Sequence, residues 1–486
     1  MSFSIRSCIV LFLFFKYSYT LECSTQQVDF NATNTNFTIQ SDKTDLATKK
    51  CTYTFTVPKY FKPTVRTLGI SLTGNNKIWL NQQSDFGGLQ SYPITADDIY
   101  YLGPTSFTIV IDLPKKTADD MFFIWISVKD STPKNITTFS VKADVGTLID
   151  SGSLQGNSII RQIIDSQSQA SSYIMKITLF GNDVVLFNLL DVMYVYDGES
   201  YKGSLLNVFT ASNSSIICSG SNFSIVNTNP TSVGIFTVLV SGKDEWNASK
   251  VSLSSAPNVN VTQVFSATDG LTVFKEITNP FNGPGPVMYN KITFRGDGEL
   301  SVYAGCVPGA QDNKKVAVIT PSNAANYENL MISGRCKTYV LTKGVVQWES
   351  SNLFIQSYRH QIGQKGVIMS KTYPYPNTGD QYSTNYLIQS PSASSKENII
   401  VTYEVALMSP DVSFNIDQDI KAYQDVNKTL SSSDKTYTSV STYQQYMWYT
   451  VPKNSDGFLI RYTVTSSASS IGHLFVLCIL SFFYLH

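Results

Sequence analysis

The sequence predicts an all-β protein of tandem β-sandwich modules, and three observations predict it. Short runs rich in Val, Ile, Thr, Tyr and Phe recur along the chain, with Gly, Pro, Asn and Asp between them. Almost no stretch keeps the 3.6-residue apolar period of a helix. A strand-plus-turn pattern also returns at near-constant spacing, which marks a repeated unit.

The strand-like segments are 51–57, 68–72, 108–113, 122–128, 174–180, 236–240, 353–357, 399–405 and 458–464. One stretch, 158–169, has helical periodicity and is expected to form a short helix. The repeat is an apolar strand running into a polar turn at Gly74-Asn75-Asn76, Gly181-Asn182-Asp183, Gly296-Asp297-Gly298 and Ser409-Pro410-Asp411. The turns begin 107, 115 and 113 residues apart, and a late apolar strand follows each, near Phe123, Phe236, Phe354 and Leu459. Units of about 110 residues are the size of a β-sandwich domain. Four modules follow: 21–143, 144–257, 258–365 and 366–465.

The ends imply a compartment. Residues 1–20 place Arg6 ahead of an apolar run at 8–15, with Ser18 and Thr20 before Leu21, in the order of a secretory signal peptide. At the other end, small residues at 465–470 precede an apolar run at 474–485, with only His486 beyond. That order reads as a GPI-attachment signal over 466–486, with Ser466 or its neighbour Ser467 as the attachment residue and a short true membrane span as the alternative. An extracellular chain on the outer leaflet of the plasma membrane, touching the membrane only through its lipid, makes its N-x-S/T sites meaningful. They are Asn31, Asn36, Asn135, Asn213, Asn222, Asn247, Asn260 and Asn427. Outside the two end segments stand Cys23, Cys51, Cys218, Cys306 and Cys336. The economical pairing in an oxidising compartment is Cys23–Cys51 and Cys306–Cys336, each worth about 3 kcal/mol, leaving Cys218 as a buried thiol or an intermolecular link.

Charge is balanced, with 36 basic and 36 acidic residues and no basic stripe, which argues against a nucleic-acid partner. Catalytic chemistry has little to work with. His360, read as a surface residue beside Arg359, is the one histidine outside the C-terminal tail, and no G-x-S-x-G or H-E-x-x-H motif occurs. Adjacent Asp119 and Asp120 are no carboxylate pair if they lie in a strand, where neighbours point to opposite faces. The expectation is a non-enzymatic protein with no cofactor and no metal. Arg295-Gly296-Asp297 has the form of an adhesion tripeptide, but its place in the repeat makes it a tight turn first. Trp79, Trp125, Trp246, Trp348 and Trp448 are expected mostly in cores. The aromatic-rich stretches 371–386 and 437–449 mix rings with polar residues, as surfaces that stack on sugars or anchor a protein do.

Cys23, Cys51 and the following Tyr53-Thr54-Phe55-Thr56-Val57-Pro58 resemble the CUB-like domain of nematode secreted proteins. Met193-Tyr194-Val195-Tyr196-Asp197-Gly198, then Gly203-Ser204-Leu205-Leu206 and Cys218, is similar to the middle of true CUB domains, and Leu300-Ser301-Val302-Tyr303-Ala304-Gly305-Cys306 sits equivalently. The resemblance implies jelly-roll-like sandwiches, extracellular recognition of a protein or glycan, and a part in innate defence. No module has the four cysteines of a full CUB domain, and of the calcium-binding set only Asp197 has a counterpart, with Asp183 and Asp191 nearby. The functional expectation is a GPI-anchored recognition glycoprotein. A glycan-bearing adhesive coat protein and a carboxylate-based surface hydrolase are the alternatives.

Overall fold

The computed structural model describes residues 19–20, 25–42, 47–84, 88–141, 146–154, 158–164, 173–180, 184–210, 216–218, 223–228, 236–242, 250–255, 261–268, 270–278, 287–306, 314–351, 357–391, 398–419 and 426–466. The chain is all-β and repeats one sandwich topology four times. In the first module Gln26–Asp29, Lys49–Thr56, Phe107–Leu113, Lys77–Ser84 and Gly88–Pro93 lie side by side in that order, with the first pair parallel. The facing sheet runs Asn36–Gln40, Met121–Asp130, Phe61–Ser71, Asp98–Tyr101, and Tyr19–Thr20 pairs parallel to its first strand. In chain order these sheets read 1-3-8-5-6 and 2-9-4-7. The same two orders recur from Asn135–Val141 to Phe236–Gly242, from Lys250–Ser255 to Gly344–Ser351, and from Ser357–Arg359 to Phe458–Ser466.

This topology explains the sequence repeat. The strand before each turn is the fourth of its module, and the late strand is the ninth, its antiparallel neighbour. Alternation then fills the space between sheets. In the first module Tyr53, Phe55, Ile109 and Ile111 from one sheet meet Ile39, Val65, Ile124 and Ile126 from the other. Each such side chain contributes about 1.5–3 kcal/mol by leaving water.

Three expectations change. The late strand of the third module is Gly344–Ser351, so the repeat there is set by Trp348; Phe354 lies outside the described residues. Of the stretch expected as a helix, residues 165–169 lie outside the described residues, and the rest forms the strand Ser158–Ile164, paired parallel with Asn135–Val141 and antiparallel with Phe223–Asn227. Its four isoleucines fall at helical spacing, but β-branched side chains favour a strand once partners lie on both sides. Among the described residues the α-helices of this module are Val184–Asp191 and Leu205–Thr210. The boundaries expected at 143, 257 and 365 also fall after the first strand of the module they introduce, because that strand joins its own module through a parallel pair the repeat does not reveal.

The modules touch through specific contacts. Between the first and second, Lys59 Nζ lies 2.8 Å from Glu199 Oε1 and donates to the Gly198 carbonyl at 3.1 Å, while the Tyr60 and Tyr196 rings meet edge to face at 5.4 Å. Between the second and third, Arg335 grips Asp150 with two bonds of 2.7 and 2.5 Å. The third and fourth share apolar packing, with Val367, Met369 and Leu459 entering the core around Trp348, and Arg461 Nε donates to the Lys315 carbonyl at 2.9 Å.

Candidate recognition face

Cys306 and Cys336 are joined by a disulfide, buried with Leu239 and Ile277, and Tyr375 of the fourth module accepts a bond from Cys306 N at 3.3 Å. Cys51 is disulfide-bonded, and Cys23, the partner expected for it, lies outside the described residues. Cys218 ends the short edge strand Ile216–Cys218. Asn31, Asn36, Asn135 and Asn427 are exposed, while Asn213, Asn222, Asn247 and Asn260 lie outside the described residues. Ser466 is the last residue of the final strand, opposite Ile399, and the tail after it lies outside the described residues. Among the described residues no helix is long and apolar enough to cross a membrane.

Residues that invite a catalytic or metal reading are used structurally. His360 is fully buried, not at the surface, and its Nε2 lies 3.0 Å from the Tyr462 hydroxyl; the strand partner Gln389 carries it inward by bonding the His360 amide. Asp119 and Asp120 stand in a loop, not a strand. Asp120 is fully buried and accepts bonds from the backbone and hydroxyls of Thr73 and Thr117 and from Asn76 Nδ2, at 2.6–3.0 Å. Burial raises the Asp120 carboxyl, but these bonds more than offset it and bring it down to about 2. Asp297 pairs with Lys343 at 2.8 Å, and a Cβ at Gly298 would strike the Lys343 carbonyl, so the Arg295-Gly296-Asp297 turn is held to the opposite loop. Asp191 ends its helix and accepts from Ser204 Oγ at 3.2 Å; Asp183 lies outside the described residues. Among the described residues no three His, Cys, Asp or Glu side chains are placed to hold a metal.

The tryptophans depart furthest from expectation. Trp348 is core, Trp246 lies outside the described residues, but Trp79, Trp125 and Trp448 sit on the outward phase of their strands. Ile78 and Leu80, Ile124 and Ile126, and Met447 and Tyr449 take the inward positions beside them.

Trp125 belongs to an apolar outer face. On the sheet of the first module that holds Met121–Asp130, Met121, Phe123 and Trp125 project outward from the ninth strand, opposite Ser71, Leu68 and Arg66 of the fourth. Ile99 and Tyr101 of the seventh strand face Arg66 and Thr64. Leu68 is 45% exposed and Tyr101 62%. Two cations lie over this apolar surface, Arg66 at 5.7 Å from the Trp125 ring and Lys62 at 5.4 Å from the Tyr101 ring. Burial pulls the Lys62 ammonium below its usual range, against the opposing pull of Asp191. Asn36 sits at the rim, opposite Ser127. Large apolar side chains beside cations suit a partner surface that is apolar and carries carboxylates.

A second, more polar face covers the five-stranded sheet of the fourth module. Tyr446 and Trp448 are 41% and 38% exposed, with rings 6.0 Å apart. Trp448 lies between Asn385 and Asn415, and Asn385 Nδ2 donates to the Tyr446 hydroxyl at 2.7 Å. Asn427 lies opposite Asp417 on the outermost strand of this face. Of the other rings in the two aromatic-rich stretches, Tyr373, Tyr386 and Tyr449 are buried.

No protein-family model matches the sequence, and no curated protein matches it. Solved structures similar to it include the CUB1-EGF-CUB2 domains of rat MASP-1, at 9% identity and a TM-score of 0.17, covering 44% of this chain and 100% of that one. The corresponding domains of human MASP-1/3 give 9% identity and 0.17 over 43% of this chain and 100% of theirs. The full extracellular region of zebrafish Gpr126/Adgrg6 gives 9% and 0.19 over 69% of this chain and 53% of its own. At these TM-scores the likenesses carry no argument about function, and the chain stands as an all-β array of sandwich modules defined by its own repeated topology.

Proposed function

We propose that this is a lipid-anchored, glycosylated cell-surface recognition protein that grips a protein partner through the outer face of its first module. The observation that carries the reading is the contiguous set Leu68, Ile99, Tyr101, Met121, Phe123 and Trp125, exposed or half-exposed on one sheet face with Arg66 and Lys62 over its rings. Monomeric proteins rarely leave such a surface uncovered without use. Anchoring through Ser466 puts the fourth module beside the membrane and leaves the first module farthest along the chain from it. A part in host defence is what the CUB-like resemblance adds.

The test uses the full chain released from expressing cells by phosphatidylinositol-specific phospholipase C, which also checks the anchor. Saturable binding of the released protein to protease-sensitive sites on neighbouring cells is expected. Leu68→Asp with Tyr101→Asp should weaken it about 10- to 100-fold, since both side chains are exposed and the fold does not need them. Unchanged binding by that variant removes the first module from the site, and an absence of saturable binding leaves the coat reading. A second reading, glycan binding at Tyr446 and Trp448, is favoured by the flanking Asn385 and Asn415 amides and predicts glycosidase-sensitive sites instead.

A further inference from the structure

We propose that the third module closes an amide cross-link between the side chains of Lys337 and Gln263, with Glu276 carrying the protons. Glu276 and Lys337 are direct cross-strand partners, and they point between the sheets in the same phase as Phe274 and Tyr339. Lys337 Nζ lies 3.2 Å from Glu276 Oε1, with the side chains 0% and 2% exposed. The other carboxylate oxygen, Oε2, accepts from Gln263 Nε2 at 3.2 Å. Gln263 comes from the opposite sheet, and its Oε1 accepts from Trp348 Nε1 at 2.6 Å. The hydroxyls of Tyr289 and Tyr339 bond to each other in the same interior, and burial first, then the charge of Glu276, holds both protonated well beyond the usual range.

As packing alone this cluster is hard to account for. A buried ion pair stabilises weakly, and apolar side chains of similar volume would serve the core as well. As chemistry every part has a place. Lys337 supplies an amine, Gln263 a carboxamide, the Trp348 N–H polarises the carbonyl, and one carboxylate spans the amine and the amide nitrogen.

The step balances without any further reagent. Glu276 takes a proton from the ammonium, and the freed Nζ attacks Cδ of Gln263, pushing the carbonyl electrons onto Oε1 beside Trp348. Glu276 gives its proton to Nε2 through Oε2 while accepting the second Nζ proton at Oε1. The Cδ–Nε2 bond breaks, the carbonyl re-forms, and ammonia leaves past Gln263, the half-buried member of the cluster, taking the last proton as ammonium. Glu276 returns to carboxylate. The product ties the second strand, Val261–Ala267, to the eighth, Cys336–Leu341, across the two sheets.

The full chain, secreted, deglycosylated, reduced and alkylated, should be digested with trypsin and its peptides weighed. The expected product is one branched species joining the Gln263 and Lys337 peptides, uncleaved after Lys337 and lighter by one ammonia. Glu276→Gln should lower its yield at a fixed time by about 100-fold or more. Separate peptides with Lys337 cleaved overturn the proposal in the native chain itself, whether or not the variant folds. A species lighter by one water that joins Lys337 to Glu276 overturns the assignment of Gln263, and a link formed undiminished in Glu276→Gln overturns the mechanism.

Discussion

Asp120→Asn changes one atom in a buried turn of the first module, and its cost follows from who donates to whom. Oδ1 of Asp120 accepts from Thr73 N and Oγ1, and Oδ2 accepts from Thr117 N, Thr117 Oγ1 and Asn76 Nδ2. An amide in the same place must turn its NH₂ toward one of these two sets of donors, so at least two bonds to a charged acceptor are lost and a buried amide is left facing amides. At about 1.5 kcal/mol for each such bond, the loss is about 3 kcal/mol. The pH dependence has a definite sign. The folded carboxyl titrates at about 2 against an ordinary value of 3.8, so the unfolded chain binds the proton more readily. The contribution is present above about pH 4 and disappears as pH falls toward 2; solvent screening trims its nominal ~2.4 kcal/mol to about 1–2 kcal/mol. The assay is hydrogen exchange at the Thr73 and Thr117 amides in the full chain, because a chain of several modules has no single unfolding free energy. Exchange in Asp120→Asn should quicken about 100-fold at neutral pH, and the wild type should approach it in acid. A change under about 0.5 kcal/mol, or a wild-type profile flat between pH 4 and 2, would refute the reasoning.

Two further outcomes concern the junctions. Cys306→Ser opens a disulfide between positions 30 residues apart, which should cost about 3–4 kcal/mol in the calorimetric transition of the third module. Reductant should shift the wild type to the same place, and a variant that melts like the oxidised wild type would count against it. Arg335→Met should lose about 1–3 kcal/mol of coupling between the second and third modules, read from a double-mutant cycle with Asp150→Ala, where a coupling energy near zero would show the pair to be idle.

Strand existence was legible because alternation needs only local sequence. The segments at 51–57, 108–113, 174–180 and 399–405 each overlap a strand of the fold. Which phase faces inward was harder. Trp125 and Ile124 are both apolar, and only the position of the opposite sheet decides that the isoleucine is core. The 158–164 part of the expected helix is a strand although Ile159, Ile160, Ile163 and Ile164 fall at helical spacing, because the parallel partner that selects the strand lies in the segment assigned to the preceding module. Contacts of long sequence range left no local trace, as with Arg335 and Asp150, 185 residues apart. The interior cluster did leave one, since Glu276 and Lys337 interrupt apolar strands, each a charge placed where alternation asks for a hydrophobe.

Burial patterns also locate where recognition can happen. In the first module Phe107–Leu113 alternates strictly between buried and half-buried, and in the fourth Gln444–Val451 does the same with exposed positions. The two sheets that hold these strands each turn one face to the core and the other outward. In the second module Phe223–Asn227 and Phe236–Gly242 are buried at every residue, and in the third Thr272–Ile277 is nearly so. Strands covered on both sides read as continuous apolar runs, as FTVLV does here. The outer faces of those strands are already occupied within the chain. A sheet whose strands are consumed in this way has only its edges left to offer, whereas the sheet of Met121–Asp130 in the first module and that of Gln444–Val451 in the fourth keep an outer face. The apolar face around Trp125 and the aromatic face around Trp448 therefore lie where the array leaves sheet surface free for a partner to dock.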